Sequence, residues 1–182
     1  VDSLAKDWYD IAWEEHQKAP PFPSSESVLV PQAYSVTSHV WFGVRTGALP
    51  SGKKAGASLT DASVSPMPGT DVNGPTALIK SAAQAIDTVK YGSNHLNMKF
   101  LPTVFAGEES NQKFIDMVKV YMAIGGCHVQ FNCVSNDILK DAQVHPENHR
   151  DLVVRVAGFS AYYIHLQEEV QNEIIKRNEL TF

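Results

Sequence analysis

The sequence predicts an α/β fold, and three observations support this class. Segments whose apolar residues recur with the period of a helix alternate along the chain with segments in which apolar and polar residues alternate. Glycine and proline residues lie between these segments, where a helix or strand would end. Hydrophobic residues make up 43% of the 182 residues, which is enough for a sizeable core.

Helices are predicted in five places from the spacing of apolar residues. In residues 2–18, Leu4, Trp8 and Ile11 recur on one helical face, with acidic residues between them. The proline-rich residues 19–23 end this helix, because proline interrupts helical hydrogen bonding, and they begin an extended connection. The other helical segments are residues 76–90, 114–123, 137–143 and 166–177.

Strands are predicted where the helical period is absent or where alternation replaces it. Residues 127–133 alternate most clearly, with His128, Gln130 and Asn132 on a polar face and apolar residues on the other. This pattern suits a barrel strand with a polar interior, although solvent would serve as the polar side equally well. The other predicted strands are residues 28–30, 34–42, 95–100 and 153–157.

Charge and composition exclude several partners. The net charge is −5, and the sequence contains neither a basic patch nor an apolar run of membrane-spanning length, so we expect no nucleic acid and no membrane as partners. Two cysteines in a chain of this length do not form a disulfide framework, which predicts a reducing, cytoplasmic location.

Candidate metal ligands and nucleophiles are sparse. The seven histidines form no H-E-x-x-H or comparable set, and no G-x-S-x-G element supports serine catalysis. Cys127 and Cys133 lie on the apolar face of their predicted strand, so we expect buried thiols, while His128 points to the other face. No metal site is therefore predicted. The solvated face of the last helix is expected to carry Glu168, Glu169 and Glu173.

The functional prediction depends on residues 153–161. This segment is apolar and strand-like, is interrupted by the single glycine Gly158, and resumes with bulky residues. A lone glycine between two apolar runs normally marks a bulge or a tight turn. Here the segment also resembles, at five positions, the radical-site signature of the glycyl radical enzymes, the pyruvate formate-lyase-like family. These positions are Arg155, Ala157, Gly158, Phe159 and Ala161.

Two more segments carry the same resemblance. Residues 45–56 resemble the family's TGALPDGRKAG segment, and residues 125–132 resemble its GGxHxQFN strand. The resemblance implies the C-terminal portion of a ten-stranded α/β barrel, followed by the glycyl radical loop and a C-terminal helix. It implies a barrel part in residues 1–134 and a glycine radical domain in residues 135–182. It also implies that the polar face of His128, Gln130 and Asn132 points into the barrel near the radical loop.

The chemistry implied by the resemblance is a stored radical on the α-carbon of Gly158, formed after translation. Glycine suits this role because a flattened α-carbon shares the unpaired electron with its flanking amides, and a Cβ atom would clash with that geometry. In the family, a separate activating enzyme removes the hydrogen atom with S-adenosylmethionine and a [4Fe–4S] cluster, so this chain is expected to bind no cofactor. The family's thiyl cysteine lies in another loop, which this sequence lacks. The expected radical loop consists of Arg155, Val156, Ala157, Phe159, Ser160 and Ala161 around Gly158.

The resemblance also implies partners and a substrate class. The partners are the rest of the catalytic subunit, the radical SAM activating enzyme and, in the decarboxylase branch, a small iron–sulfur subunit; the chain alone is expected to be inactive. Residues 94–100 and 155–162 look most like the branch that decarboxylates 4-hydroxyphenylacetate to p-cresol and CO2, which implies an arylacetate substrate. Three alternatives stay open: another lyase or dehydratase of this oxygen-sensitive, anaerobic family, a stand-alone spare-part protein that carries only the radical, and a non-radical structural subunit.

Overall fold

A computed structural model of the chain describes residues 2–20, 23, 26, 29–92 and 94–182. The helices are α1 (Asp2–Gln17), α2 (Ser38–Arg45), α3 (Gly74–Ala85), α4 (Glu108–Ala123), α5 (Asn136–Val144) and α6 (Glu168–Lys176). The strands are β1 (Leu96–Phe100), β2 (Val129–Cys133), β3 (Val153–Arg155) and β4 (Ser160–Tyr162). Among the residues described, each helix is too short or too polar to cross a lipid bilayer.

The centre of the fold is a parallel strand pair. β1 and β2 run side by side, from Leu96 opposite Val129 to Phe100 opposite Cys133. Parallel neighbours require a crossover connection, which α4 supplies between them. Every residue of β1 is buried, including the polar Asn97 and Lys99. The β–α–β arrangement confirms the α/β class predicted from the sequence.

The first core cluster packs α3 and α4 against β1. Phe100 is fully buried there, and four other phenylalanine rings lie with their centroids within 6.3 Å of its own. The backbone of Leu180 also pairs with β1, since its N–H donates to the carbonyl of Lys99 at 2.8 Å and its carbonyl accepts from the N–H of Leu101 at 3.3 Å. The fully packed members of this cluster are Leu78, Ile79, Ala82, Ala83, Leu96, Met98, Phe100, Val104, Met117, Tyr121 and Leu180.

The second core cluster supports an antiparallel hairpin formed by β3 and β4. Val153 pairs with Tyr162 and Arg155 with Ser160, so the chain reverses direction between residues 156 and 159. Helices α5 and α6 cover the buried side of the hairpin, and α2 contributes one residue. The buried members are Val40, Val134, Leu139, Ala142, Val154, Val156, Tyr163, Val170 and Ile174.

The structure differs from the sequence prediction in several elements. Residues 34–42 were expected to form a strand, but the segment turns at Val36, which has a φ of 50°, and enters α2 at Ser38. The buried His39, Val40 and Gly43 lie on one face of this helix, so apolar spacing over a short window did not separate a strand from a helix. Helix α3 ends at Ala85, before the predicted residue 90.

The predicted strand at residues 28–30 is also absent where the structure describes it. Leu29 and Val30 have no regular secondary structure, and Val28 lies outside the described residues. Pro21 and Phe22 of the predicted extended connection lie outside them as well.

Candidate functional site

Gly158 occupies the turn of the β3–β4 hairpin. Its φ is +83°, a left-handed conformation that glycine adopts without steric cost and other residues rarely adopt. The hairpin closes beside it, because the N–H of Val156 donates to the carbonyl of Phe159 at 2.9 Å. Val156 and Ala157 are fully buried, whereas Gly158 and Phe159 lie at the exposed end of the turn.

Steric contact with Tyr34 restricts the same position to glycine. A Cβ atom added to Gly158 would lie 1.6 Å from the Tyr34 hydroxyl oxygen and 2.8 Å from its Cζ atom. The Tyr34 hydroxyl donates a hydrogen bond to the carbonyl of Ala157 at 3.1 Å, which fixes the ring against the turn. Backbone conformation and space therefore both favour glycine at residue 158.

Strand β2 holds the hairpin through Gln130 and Asn132. The Gln130 Oε1 atom accepts hydrogen bonds from the N–H of Gly158 at 3.2 Å and from Nε of Arg155 at 2.9 Å. Asn132 bonds to both backbone groups of Arg155, accepting from its N–H and donating to its carbonyl, each at 2.8 Å. Because these hydrogen bonds satisfy the two amides, the polar face of β2 can be buried.

The polar face of β2 lies against the radical loop, as expected, but the burial of the apolar face differs from the expectation. Gln130 and Asn132 are buried and His128 is partly buried. The expectation that Cys127 and Cys133 are buried is wrong, since both thiols are exposed. The sequence pattern correctly separated the polar face of β2 from its apolar face. The polar face is the more buried of the two, because the backbone of the β3–β4 hairpin covers it.

A second group of buried polar residues holds the carbonyl of Val156. This oxygen accepts hydrogen bonds from Nδ2 of Asn97 and from Nη2 of Arg177, each at 2.9 Å. Arg177 forms ion pairs with Glu173 at 2.6 Å and with Asp61 at 3.0 Å. All four of these side chains are at most 9% exposed, so the turn preceding Gly158 rests on a buried ionic network.

Glu173 lies within this network, which corrects its expected place on the solvated face of α6. Burial alone would raise the pKa of its carboxyl, but the charge and hydrogen bonds of Arg177, together with the nearby His39 ring, hold that pKa well below its usual range. Nε2 of His39 lies 3.4 Å from this carboxylate. A signal for this was present in the sequence, because Glu173 and Arg177 share the helical face of Val170 and Ile174.

Two histidines whose rings contact each other complete the surroundings of the turn. The ring of His95 lies 4.4 Å from the Tyr34 ring on one side and 4.4 Å from the His128 ring on the other, centroid to centroid. Burial lowers the pKa of both imidazoles, and the charge of Arg155 lowers that of His128 further. The rings are therefore uncharged at neutral pH, and the His128 Nε2 atom lies 3.1 Å from Nε2 of Gln130.

The predicted loop residues meet at the hairpin as a unit. Ser160 accepts a hydrogen bond from Nη1 of Arg155 at 3.0 Å across the strand pair, and Ala161 faces Val154. Tyr34, Asp61, Asn97 and Arg177 were not predicted as site residues, since each joins the hairpin or its supporting network from outside the radical loop segment. Within the described residues, no three histidine, cysteine or acidic side chains cluster as metal ligands would.

Comparison with known proteins agrees with this fold and this hairpin. The sequence model of the family described as Glycine radical matches residues 60–164, which include the hairpin and the strands β1 and β2. The chain therefore belongs to the glycyl radical enzyme family.

Particular relatives place the chain at one part of such an enzyme. It is 42% identical to indoleacetate decarboxylase of Tractidigestivibacter scatoligenes over 98% of this chain and 20% of the relative. It is 40% identical to the 4-hydroxyphenylacetate decarboxylase glycyl radical subunit of Clostridioides difficile over 83% of this chain and 17% of that subunit. The chain spans about a fifth of the length of the curated relatives it matches.

A solved structure confirms the predicted architecture. The B12-independent glycerol dehydratase of Clostridium butyricum, in its glycerol-bound form, superimposes with a TM-score of 0.91 at 36% identity, covering 100% of this chain and 23% of the dehydratase. The chain is accordingly a C-terminal portion of the glycyl radical enzyme barrel, as the sequence resemblance implied.

Proposed function

We propose that this chain is the radical-bearing part of a radical lyase and that Gly158 carries the radical. The observation that carries the proposal is the turn itself, where a positive φ and the Tyr34 hydroxyl leave room for no side chain. An α-carbon without Cβ can flatten and share its unpaired electron with the amides on either side. Here Gln130 and Tyr34 hold the amide that precedes this α-carbon, by hydrogen bonds to the Gly158 N–H and the Ala157 carbonyl.

The proposed chemistry is transfer of single hydrogen atoms. An activating enzyme, supplied with S-adenosylmethionine and a [4Fe–4S] cluster, removes one hydrogen atom from the Gly158 α-carbon. The stored radical then takes a hydrogen atom from a cysteine thiol elsewhere in the catalytic subunit, which restores the glycine and leaves a thiyl radical. The hairpin residues Arg155, Val156, Ala157, Phe159, Ser160 and Ala161 hold the α-carbon in one orientation for both transfers.

We propose an arylacetate as substrate and decarboxylation as the reaction. Two relatives whose names state arylacetate decarboxylation support this class. The predicted reaction converts 4-hydroxyphenylacetate to p-cresol and CO2. Indoleacetate is the second candidate substrate, because the similarity to indoleacetate decarboxylase extends over 98% of this chain.

The proposed partners are the rest of the catalytic subunit, the radical SAM activating enzyme and a small iron–sulfur subunit. An exposed apolar stripe on α1 supports the first of these, since Leu4, Trp8 and Ile11 are each more than 60% exposed. We also retain the division into a barrel part (1–134) and a glycine radical domain (135–182). Every buried member of the second core cluster except Val40 and Val134 lies after residue 134, which supports that boundary. The proposed compartment is the cytoplasm.

The test uses the assembly that carries this chain, meaning the chain together with the rest of its catalytic subunit. After anaerobic activation with the activating enzyme and S-adenosylmethionine, we expect a doublet in the electron paramagnetic resonance spectrum. Growth on glycine deuterated at the α-carbon should collapse the doublet, because its splitting arises from the remaining α-hydrogen. Activated assembly should then release CO2 from 4-hydroxyphenylacetate or indoleacetate.

Two alanine variants assign the radical to a residue. Gly158→Ala should give no doublet, and after exposure to air it should lack the backbone cleavage that oxygen causes at a glycyl radical. Gly69→Ala is the matched control, because Gly69 has a φ of +85° but open space where its Cβ would lie. A doublet in Gly158→Ala, or cleavage at another glycine, would refute the assignment. An activated assembly without any doublet would favour a structural role for the chain.

A further inference from the structure

The Tyr34 hydroxyl group lies over one side of the Gly158 α-carbon. We propose that Tyr34 is a positioning residue that covers this side and slows the attack of dioxygen on a radical stored there; the inference rests on the function proposed above. Tyr34 is distant from Gly158 in sequence and belongs to the segment just before α2.

The position of a side chain in an L-amino acid is the position of one α-hydrogen in glycine. The Tyr34 hydroxyl oxygen would be 1.6 Å from a Cβ atom on Gly158, so it lies directly over that hydrogen. A flattened α-carbon has two open faces, to which a small molecule can add from either side. The phenol oxygen occupies the approach to one of them.

The orientation of the Tyr34 hydroxyl suits a group that covers the Gly158 α-carbon and not one that donates a hydrogen atom to it. The hydroxyl donates its hydrogen to the carbonyl of Ala157 at 3.1 Å, so this hydrogen points at the carbonyl oxygen and not at the Gly158 α-carbon. The covering oxygen is therefore held in place by the peptide group that directly precedes the α-carbon it covers.

A closed ring of contacts holds Tyr34 in this orientation. The Tyr34 ring contacts His95, His95 contacts His128, and His128 lies 3.1 Å from Gln130. Gln130 in turn accepts the hydrogen bond of the Gly158 N–H at 3.2 Å. This series of contacts starts and ends at the turn, so a movement of Tyr34 would also displace the rings of His95 and His128.

The experiment compares Tyr34→Phe and Tyr34→Ala in the assembly that carries this chain. Tyr34→Phe removes the covering oxygen and keeps the ring on His95, whereas Tyr34→Ala removes both. Tyr162→Phe is the control, because this tyrosine lies in the same hairpin but its ring contacts His165. Each variant is activated without oxygen, and the decay of the doublet is followed first anaerobically and then with limiting dioxygen.

We expect all three variants to form the doublet and to keep it anaerobically. With dioxygen, the doublet should decay several-fold faster in Tyr34→Ala than in the unsubstituted assembly, with Tyr34→Phe between them and Tyr162→Phe unchanged. Equal decay in all four proteins would overturn the proposal, as would loss of the doublet in Tyr34→Phe, since a cover is not needed to form the radical. Absence of the doublet from the unsubstituted assembly would instead overturn the proposed function.

Discussion

Arg177 donates a hydrogen bond from Nη2 to the carbonyl oxygen of Val156, 2.9 Å away and two residues before Gly158. The same nitrogen lies 2.6 Å from a carboxylate oxygen of Glu173 and 3.0 Å from one of Asp61. One buried cation thus pairs with two acids and also holds the hairpin. Arg177, which directly follows α6, therefore helps to hold the turn in place.

Replacement of Arg177 by glutamine should strongly destabilise the protein. The change leaves the carboxylates of Asp61 and Glu173 buried without their cation, which typically costs about 3–5 kcal/mol. The free energy of unfolding of the assembly, measured with denaturant, checks this value. Arg150→Gln is the control, because Arg150 is exposed and should change stability by less than about 0.5 kcal/mol. Similar effects of the two substitutions would contradict the role of the network.

Alanine at Gly158 should cost more stability than alanine at Gly69. Both positions have positive φ, which typically costs a residue other than glycine about 1–3 kcal/mol, but only Gly158 also contacts Tyr34. In a Tyr34→Ala background the excess cost should disappear, giving a coupling energy within about 0.5–3 kcal/mol. Denaturant unfolding of the two single variants and the double variant measures it. Additive effects would show that the Tyr34 contact does not constrain this position.

Removal of the Gln130 amide should loosen the turn. Gln130→Leu has a similar size but leaves the N–H of Gly158 and the Nε of Arg155 without their acceptor. We expect faster amide hydrogen exchange in residues 156–160, followed by mass spectrometry of the assembly. Gln112→Leu on the exposed side of α4 is the control and should leave this exchange unchanged. If amide exchange in residues 156–160 of Gln130→Leu stayed as slow as in the unsubstituted assembly, the hydrogen bonds of Asn132 and Arg177 would be sufficient to hold the turn.

The lowered pKa of Lys99 predicts that the stability of the protein depends on pH in the alkaline range. Burial lowers the pKa of its ammonium group from 10.5 to about 8, although it donates hydrogen bonds to Asn136 and to two carbonyls at the end of α6. Between these two pKa values the unfolded chain binds more protons than the folded chain, so this residue makes stability rise with pH in that window. Below about pH 8 the cost of burying the charge is fully present.

A comparison of unfolding free energies from pH 7 to pH 11 tests the contribution of Lys99. Relative to Lys99→Met, the unsubstituted assembly should gain stability as the pH rises above about 8. Lys113→Met provides the control, since Lys113 is an exposed partner of Glu109. A constant difference between the unsubstituted assembly and Lys99→Met across this range would exclude a lowered pKa.

The elements that sequence reasoning predicted well are those that local pattern determines. The alternation in residues 127–133 and the helical period in α4 depend on neighbours within a few residues, and a lone glycine between apolar runs indicates a turn. The contacts around Gly158 depend instead on residues far apart in the chain, such as Tyr34 and Arg177. Glu173 was misplaced because an acidic residue is normally solvated, and only the approach of Arg177 and His39 makes its burial favourable.

Strand β1 carries two buried polar side chains that reach different parts of the C-terminal region. Asn97 holds the Val156 carbonyl before the turn, and Lys99 binds the last carbonyls of α6. Residues 153–162 grafted alone onto another protein would therefore not keep the structure of the glycine turn. A grafted hairpin would also need β1, β2, α6 and the segment around Tyr34, because these elements supply the hydrogen bonds and contacts that hold the turn.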